Sequence, residues 1–399
     1  MRSRKGIYIH IPFCVKKCNY CAFLSFDAVT SPRGEYTEAL CEEIRLRAAE
    51  TKDRRIDTVY IGGGTPSVLD VSQLRDILHT VRECFDIKED AEITIEANPA
   101  TLGRKDGVML AKLQAYKYMG INRLSMGVQS MDNDRLHFLG RIHTAENVAR
   151  DMKLAREKGF DNLNLDLIFS VPGESREDAL KDLDEIIALN PEHISCYSLQ
   201  IEEDTPFAEM IEHGEMTEAP DEEDRETYHA ICGRLREAGY EHYEISNFAK
   251  PGYRSRHNSL YWDMSDYIAF GLGASGFTDN ARYRNTSDIE DYIKTVGEGR
   301  LPIAESYANT PFDNISEAVF TGLRRIEGIS YEDAVAAYDR ASETTIKNSP
   351  KERFWEIFKE AKTEAEEYEK RGLLIIDDQG LRLTEQGIDI SNSIMSLFV

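Results

Sequence analysis

Apolar, β-branched segments recur at a regular beat along the first two-thirds of the chain. They cover residues 6–11, 58–61, 92–97, 122–128, 162–169, 193–199 and 240–245. Between them lie stretches with helical periodicity, at 36–49, 72–84, 145–158, 175–188 and 221–238. Alternation on this scale predicts an α/β fold, with parallel strands joined by crossover helices. So many units fit a full or partial barrel, or an open doubly wound sheet. In either architecture, ligand-binding residues belong just past the C-terminal ends of the strands.

From about Thr310 the strand beat stops. Helical patterns at 316–325, 330–338 and 352–370 take over, and residues 372–383 read as a hairpin turning at Asp378-Gln379-Gly380. Thr384 then caps a final helix, with Glu385 and Gln386 in its first turn. Helices followed by a hairpin resemble a winged-helix layout. A small packing domain is the simpler reading, because the charge of the whole chain opposes a DNA reader.

That charge is −24, from 72 acidic and 48 basic side chains among 399 residues. Phosphates would be repelled, so nucleic acid is not an expected partner. No stretch approaches the roughly twenty apolar residues of a membrane span. The start, Met1-Arg2-Ser3-Arg4-Lys5-Gly6, is basic but leads straight into a strand, without the longer apolar run of a signal peptide. The seven cysteines are sparse and odd in number. Cys41, Cys84, Cys196 and Cys232 stand far apart and read as small buried side chains. This usage points to a reducing cytoplasm, where thiolates are available to metal.

The other three cysteines carry chemistry. Cys14, Cys18 and Cys21 lie in Ile9-His10-Ile11-Pro12-Phe13-Cys14-Val15-Lys16-Lys17-Cys18-Asn19-Tyr20-Cys21, with no fourth cysteine nearby. Three thiolates suit an iron–sulfur cube with one iron uncapped, whereas clusters that only carry electrons use four. A zinc site of the same three cysteines with His10 fits the spacing too.

The strand ends supply further candidates. Gly62-Gly63-Gly64-Thr65-Pro66 follows the second strand and allows close approach of backbone to a ligand; a tight turn explains it equally well. Glu96, Gln129, Arg141 and Asp166 come from separate segments. A ligand with an amine, a carboxylate and a ribose needs such a mixture. Each alone could be an ordinary structural residue; Asp166, set among apolar neighbours, is the hardest to dismiss. The loop Arg256-His257-Asn258-Ser259-Leu260-Tyr261-Trp262 joins an imidazole to two aromatics, a set suited to heme iron and a porphyrin face. A lone histidine in such a loop is more often structural. Gly271-Leu272-Gly273-Ala274-Ser275-Gly276 is another close-approach segment.

Together these residues resemble the radical S-adenosylmethionine superfamily, and within it oxygen-independent coproporphyrinogen oxidase and its relatives. The resemblance rests on Tyr8-Ile9-His10-Ile11-Pro12-Phe13-Cys14 with Cys18 and Cys21, and on Gly62-Gly63-Gly64-Thr65-Pro66. It implies a partial parallel (β/α) barrel of about six strands with a C-terminal helical, winged-helix-like domain. Residues 1–250 would form the barrel, 251–309 the segment with the His257 motif and a connection, and 310–399 the C-terminal domain. It implies a 4Fe–4S cluster on Cys14, Cys18 and Cys21, with S-adenosylmethionine on the open iron. Tyr8, Gly63, Glu96 and Arg141 match positions around that ligand. Gly64, Thr65, Gln129 and Asp166 match further ones, and Tyr20 is carried with them.

Two details select a branch. The oxidase has another cysteine two places after the third, where this chain has Phe23. His257-Asn258-x-x-Tyr261-Trp262 matches the signature of the heme chaperones, sister proteins of the oxidase. The resemblance then implies heme as a ligand, with His257 near the iron and Asn258, Tyr261 and Trp262 in the same motif. Respiratory heme proteins are the implied acceptors, and a homodimer and a peripheral membrane contact are compatible with that role. The competing expectation is an enzyme: radical oxidative decarboxylation of porphyrinogen propionates, or another porphyrin-directed radical reaction.

Overall fold

The computed structural model describes residues 4–342 and 348–399; Met1, Arg2 and Ser3 of the basic start lie outside them. Six parallel strands lead: β1 (Lys5–Ile11), β2 (Arg55–Gly63), β3 (Asp86–Ala97), β4 (Arg123–Gln129), β5 (Leu163–Phe169) and β6 (His193–Ser198). Each lies beside its predecessor. The crossovers carry α1 (Arg33–Glu50), α2 (Val71–Cys84), α3 (Asp106–Tyr118), α4 (Asn133–Phe138) with α5 (Ala145–Glu157), and α6 (Arg176–Ala188). Every helix and strand in this stretch falls on a segment with the matching period, apart from α3 and the short α4.

After β6 come α7 (Pro206–Glu212) and α8 (Asp221–Glu237), then β7 (Glu241–Glu244) and β8 (Asn247–Ala249). The segment 240–245 reads as one more strand of the parallel series, but β7 is an antiparallel edge strand. Only two residues separate it from β8, which returns antiparallel onto β6, and a parallel link needs a far longer crossover. Next are α9 (Arg256–Trp262) and β9 (Asp266–Phe270), which lies parallel to β1 on its free side. β10 (Ser275–Thr278), β11 (Ala281–Asn285) and β12 (Ile303–Ala308) extend that edge antiparallel, with α10 (Ile289–Gly297) between the last two. The segment 251–309 thus adds a helix pair and four strands to the same sheet. Twelve strands run in the order β12-β11-β10-β9-β1-β2-β3-β4-β5-β6-β8-β7. Among the described residues the two ends do not pair, so the sheet curls into a partial barrel.

The C-terminal part holds α11 (Pro311–Gly322), β13 (Ile329–Ser330), α12 (Tyr331–Asp339), α13 (Pro350–Ile357), α14 (Lys362–Lys370), β14 (Leu374–Ile376) and β15 (Gly380–Leu383). The single helix expected over 352–370 is two. Phe358 ends the first and packs its ring 5.0 Å from Phe354 and 5.2 Å from Phe398, which turns the chain. The hairpin forms as β14 and β15, β13 adds a third strand, and Thr384 caps the helix Glu385–Ile388. Cys41, Cys196 and Cys232 are buried as expected, and Cys84 is partly exposed.

Side chains alternate strictly across the parallel strands. Ile7, Ile9, Ile11, Val59, Ile61, Ile95, Leu124, Met126, Val128, Leu163, Leu165 and Leu167 belong to the apolar core with the surrounding helices. The opposite parity is largely polar: Tyr8 meets His10 and Tyr60, Tyr60 bonds Glu96, and Asn164 bonds Ser125, Asp166 and Ser195.

One buried charge ties α1 to the rim loop after β9. Glu43 is fully buried. Its carboxylate accepts from Arg47 (3.0 Å), Asn285 (2.8 Å), the Tyr292 hydroxyl (2.7 Å) and the Gly271 N–H (2.8 Å). Glu43→Ala leaves Arg47 buried without its counter-charge and should cost about 3–5 kcal/mol. Equilibrium denaturation in urea measures that loss.

Candidate functional site

Beyond β1 the chain forms a loop carrying Cys14, Cys18 and Cys21, all three thiols free and partly exposed. A short parallel pair, Phe13–Cys14 with Phe26–Asp27, closes its base. Asn19 pins its tip. The Asn19 N–H donates to the Leu139 carbonyl (3.1 Å), its side-chain amide donates to the Phe138 carbonyl (2.8 Å), and its own carbonyl accepts from the Phe207 N–H (3.1 Å). Gly140, at φ +78°, makes room, since a Cβ there would stand 3.0 Å from Asn19 Oδ1. Tyr20, Phe138, Leu139, Ile168 and Phe207 form a separate apolar cluster under the loop.

The glycine run at the end of β2 lies directly against these thiols. The Gly64 N–H donates to the Ile11 carbonyl (2.9 Å) and the Thr65 N–H to the Phe13 carbonyl (2.8 Å). A Cβ on Gly64 would meet the Phe13 backbone at 2.8 Å and Cys14 Sγ at 3.0 Å, so only glycine fits. The Thr65 hydroxyl stands 3.5 Å from Cys14 Sγ. Burial pushes the Cys14 and Cys21 thiols up, the Thr65 contact opposing this at Cys14. A cation is what would hold them as thiolates.

His10 does not join the cysteines. Its Nδ1 pairs with the Tyr8 hydroxyl (2.9 Å) and its Nε2 with the Leu24 carbonyl (3.3 Å). Among the described residues no three metal-ligating side chains converge on a single-ion site, so the three-cysteine, one-histidine zinc arrangement is not assembled.

The other rim residues gather beside the loop. Arg141 donates to Cys18 Sγ (3.3 Å), to Asn98 Oδ1 (2.6 Å) and to the Gly127 carbonyl. Burial works against its charge, yet Tyr20 and Cys18 beside it raise its pKa on balance. Gln129 sits where the β4–β5 register shifts, at φ +72°, a conformation that costs a non-glycine residue energy. Two buried atoms here lack partners, Gln129 Oε1 and Arg141 Nε. Pinned thiols, a glycine cradle and unpaired polar atoms fit an iron–sulfur cube with an amino-acid-bearing ligand on its open corner.

Below the rim, Glu96 accepts from the Tyr60 hydroxyl (2.6 Å) and from the N–H of Gly63 (3.2 Å), itself at φ +114°. Burial lifts the Glu96 carboxyl to about 7; Tyr60 and Gly63 oppose the rise and Asp166 adds to it. Asp166 lies in the middle of β5, opposite Gly127 of β4 and two residues beyond the level of Glu96. Burial raises its pKa too, against a bond from Asn164 (2.7 Å). Tyr8 stacks on Tyr60 with centroids 6.3 Å apart.

The segment with His257 is a helix, not a loop, because Ser255 caps it through the Asn258 N–H. Glu92 accepts from the backbone N–H groups of Arg256 (3.1 Å) and His257 (3.0 Å), placing negative charge at the positive helix end. The helix seats on the layer Gly6–Thr58–Glu92, at the opposite end of the barrel from the cysteines. His257 is 1% exposed. Its Nδ1 pairs with the Thr58 hydroxyl (2.8 Å) and its Nε2 with the Tyr261 hydroxyl (2.9 Å). Burial and the positive charge of Arg123 lower its pKa to about 3. Burial thus favours the neutral imidazole, and both of its nitrogens are engaged. Trp262 lies under the Arg324 guanidinium (4.8 Å) with its indole N–H buried and unpaired. Asn258 is partly exposed on the same helix.

Sequence reasoning missed Tyr60, which shares the inward parity of Thr58 and Gly62, and Arg123, which shares that of Ser125, Gly127 and Gln129. Period-two spacing from the recognised glycines was the available signal.

Comparison with known proteins gives a consistent picture. Residues 8–186 match the radical SAM superfamily profile and residues 309–390 the HemN C-terminal domain. The heme chaperone HemW of Bacillus subtilis (strain 168) is 32% identical over 396 residues, covering 99% of each chain. The heme chaperone HemW of Escherichia coli (strain K12) is 40% identical over 289 residues, 70% of this chain and 73% of that one. Coproporphyrinogen III oxidase (HemN) from Escherichia coli, a radical SAM enzyme, shares the fold: TM-score 0.83 at 24% identity, over 99% of this chain and 90% of that one.

Gly64→Ala should lower the iron retained after anaerobic reconstitution, because the new methyl displaces Cys14; iron analysis against wild type checks it. Glu96 yields a pH prediction. Its folded pKa, about 7, lies above the ordinary 4.5, so the fold favours the protonated form. Its contribution to stability is present below pH 4.5 and is lost as pH rises to about 7. Glu96→Gln removes that slope, so wild type should lose stability relative to the variant across this window in thermal denaturation.

Proposed function

Because the chain belongs to the radical S-adenosylmethionine superfamily, in the branch of the heme chaperone HemW, we propose that it binds heme and hands it to heme proteins, respiratory ones in particular. The observation that carries the reading is the end-to-end match to that branch together with the His257, Asn258, Tyr261 and Trp262 set.

Cys14, Cys18 and Cys21 would hold a 4Fe–4S cluster, and Tyr8, Tyr20, Gly63, Gly64, Thr65, Glu96, Gln129, Arg141 and Asp166 would surround S-adenosylmethionine. Once bound, the cluster supplies an open iron for the methionyl amine and carboxylate. Around it the chain does four things. Asn19 fixes the loop that presents the thiols. The Gly63-Gly64 backbone comes close enough to offer its polar groups. Glu96 and Asp166 accept from ammonium and ribose hydroxyl donors. Arg141, next to Cys18, offsets the negative charge of thiolates.

At the far end of the barrel, His257 offers a neutral imidazole to heme iron, with Tyr261 and Trp262 giving the porphyrin an aromatic wall. Ligation requires His257 to give up Tyr261 or Thr58, so heme loading includes a movement of α9. No helix among the described residues is long and apolar enough to cross a membrane. In this reading the protein works from the cytoplasm and meets membrane-bound acceptors peripherally.

Titration of the full-length protein with hemin should give a saturable Soret band. Histidine 257 supplies the test: His257→Ala should weaken binding at least about tenfold, a loss of 1.4 kcal/mol. Absence of saturable binding by wild type overturns the assignment. So does sustained decarboxylation of coproporphyrinogen by the cluster-loaded protein under anaerobic, reducing conditions.

A further inference from the structure

The rim that would hold S-adenosylmethionine and the helix that carries His257 lie at opposite ends of the barrel, and a single side chain touches the machinery of both. Tyr60 sits in the middle layer of β2. Its hydroxyl donates to Glu96 Oε1 (2.6 Å), and the other oxygen of that carboxylate accepts from the N–H of Gly63 (3.2 Å) at the rim. Its ring stacks on the His257 imidazole, with centroids 5.1 Å apart and planes 27° from parallel. The Tyr8 ring, whose hydroxyl is paired with His10, also stacks on Tyr60, with centroids 6.3 Å apart. Tyr60 has little room to retreat. A Cβ on Gly62 would stand 2.8 Å from its Cε1 and 3.0 Å from Glu96 Oε1, so ring and carboxylate already fill that space.

We propose that Tyr60 is a positioning residue that couples occupancy of the rim by S-adenosylmethionine to the helix bearing the heme-ligating histidine. The inference rests on the heme reading above for what the coupling serves. Glu96 Oε1 accepts from Tyr60 and Oε2 from Gly63, and each oxygen keeps a further lone pair. An ammonium or hydroxyl from a ligand at the rim that bonds to a remaining lone pair pulls on the same carboxylate and re-aims it. The Tyr60 hydroxyl must follow its acceptor or lose it, and a buried phenol without a partner is costly. As the ring tilts, the surface that His257 stacks on tilts with it. His257 is held on its edges by Thr58 and Tyr261 and on its face by Tyr60, so the face contact is the one the rim can change. Coupling of this kind is reciprocal: heme on His257 must change the affinity of the rim for its ligand by the same factor.

The test uses full-length protein with its cluster reconstituted under anaerobic conditions. Amide hydrogen exchange in α9 is measured with and without S-adenosylmethionine, in wild type and in Tyr60→Phe. The variant keeps the stacked ring and deletes only the hydroxyl. Hemin titrations are run under the same four conditions. In wild type, S-adenosylmethionine should change exchange across residues 256–262 and shift hemin affinity about fivefold or more. In Tyr60→Phe both responses should vanish while S-adenosylmethionine still perturbs the cluster spectrum. An α9 that ignores S-adenosylmethionine in wild type overturns the proposal, as does an undiminished response in the variant. The exchange measurement needs no heme. A protein that fails to bind hemin but shows the Tyr60-dependent response would remove the heme reading and leave the coupling standing.

Discussion

Alternation of side chains along six parallel strands is the constraint on which the rest of this molecule depends. On β1 the odd positions, Ile7, Ile9 and Ile11, are fully buried with the helices, and the even positions, Tyr8 and His10, face inward. The same split holds on β2 and β4. Closed parallel barrels fill their interior with branched aliphatic side chains. Here that space holds phenols, carboxylates, amides and imidazoles. Burying them is tolerable because they satisfy one another: Asn164 joins Ser125, Asp166, His193 and Ser195 in a single network. The exceptions are few, among them Thr94 Oγ1, Arg123 Nε and Gln129 Oε1.

The polar interior gives the barrel two working ends. At one, the strands deliver the glycine run, Glu96 and Gln129 to the cysteine loop, which Asn19 and an apolar cluster hold in place. At the other, α9 plugs the layer Gly6–Thr58–Glu92. Glycine at position 6 lets the helix sit close, since a Cβ would stand 2.6 Å from Leu260 Cδ1 and 3.1 Å from His257 Cε1. The histidine is thereby kept dry, neutral and occupied. Both of its nitrogens face hydroxyl groups, Thr58 on one side and Tyr261 on the other.

The C-terminal part acts on that same end. Arg324 covers Trp262 and lies 3.6 Å from the buried Glu244. Arg325 donates to Asp263 (2.7 Å), which also pairs with Arg4, and Arg340 donates to the Met264 carbonyl. Three arginines thus gather at the negative end of α9, where cations are favoured. These three basic side chains of the C-terminal part face the barrel, while Arg353 and Arg382 pair within it, with Asp339 and Asp377.

The primary structure by itself determined the strand–helix beat, the cysteine loop after β1, the glycine run after β2 and the helical end with its hairpin. These are local matters of hydrophobic period, turn residues and spacing, and each can be read in a window of a few residues. Tertiary structure alone decided what those windows face. It turned 240–245 into an antiparallel edge, built four strands from 251–309, and docked the Ser255-capped helix bearing His257 onto Glu92 of β3. It set Asp166 opposite Gly127 and brought Tyr60 between Glu96 and His257. Those outcomes rest on contacts between residues tens to hundreds of positions apart, such as Thr58 with His257, and register between strands is set by packing rather than by any local signal.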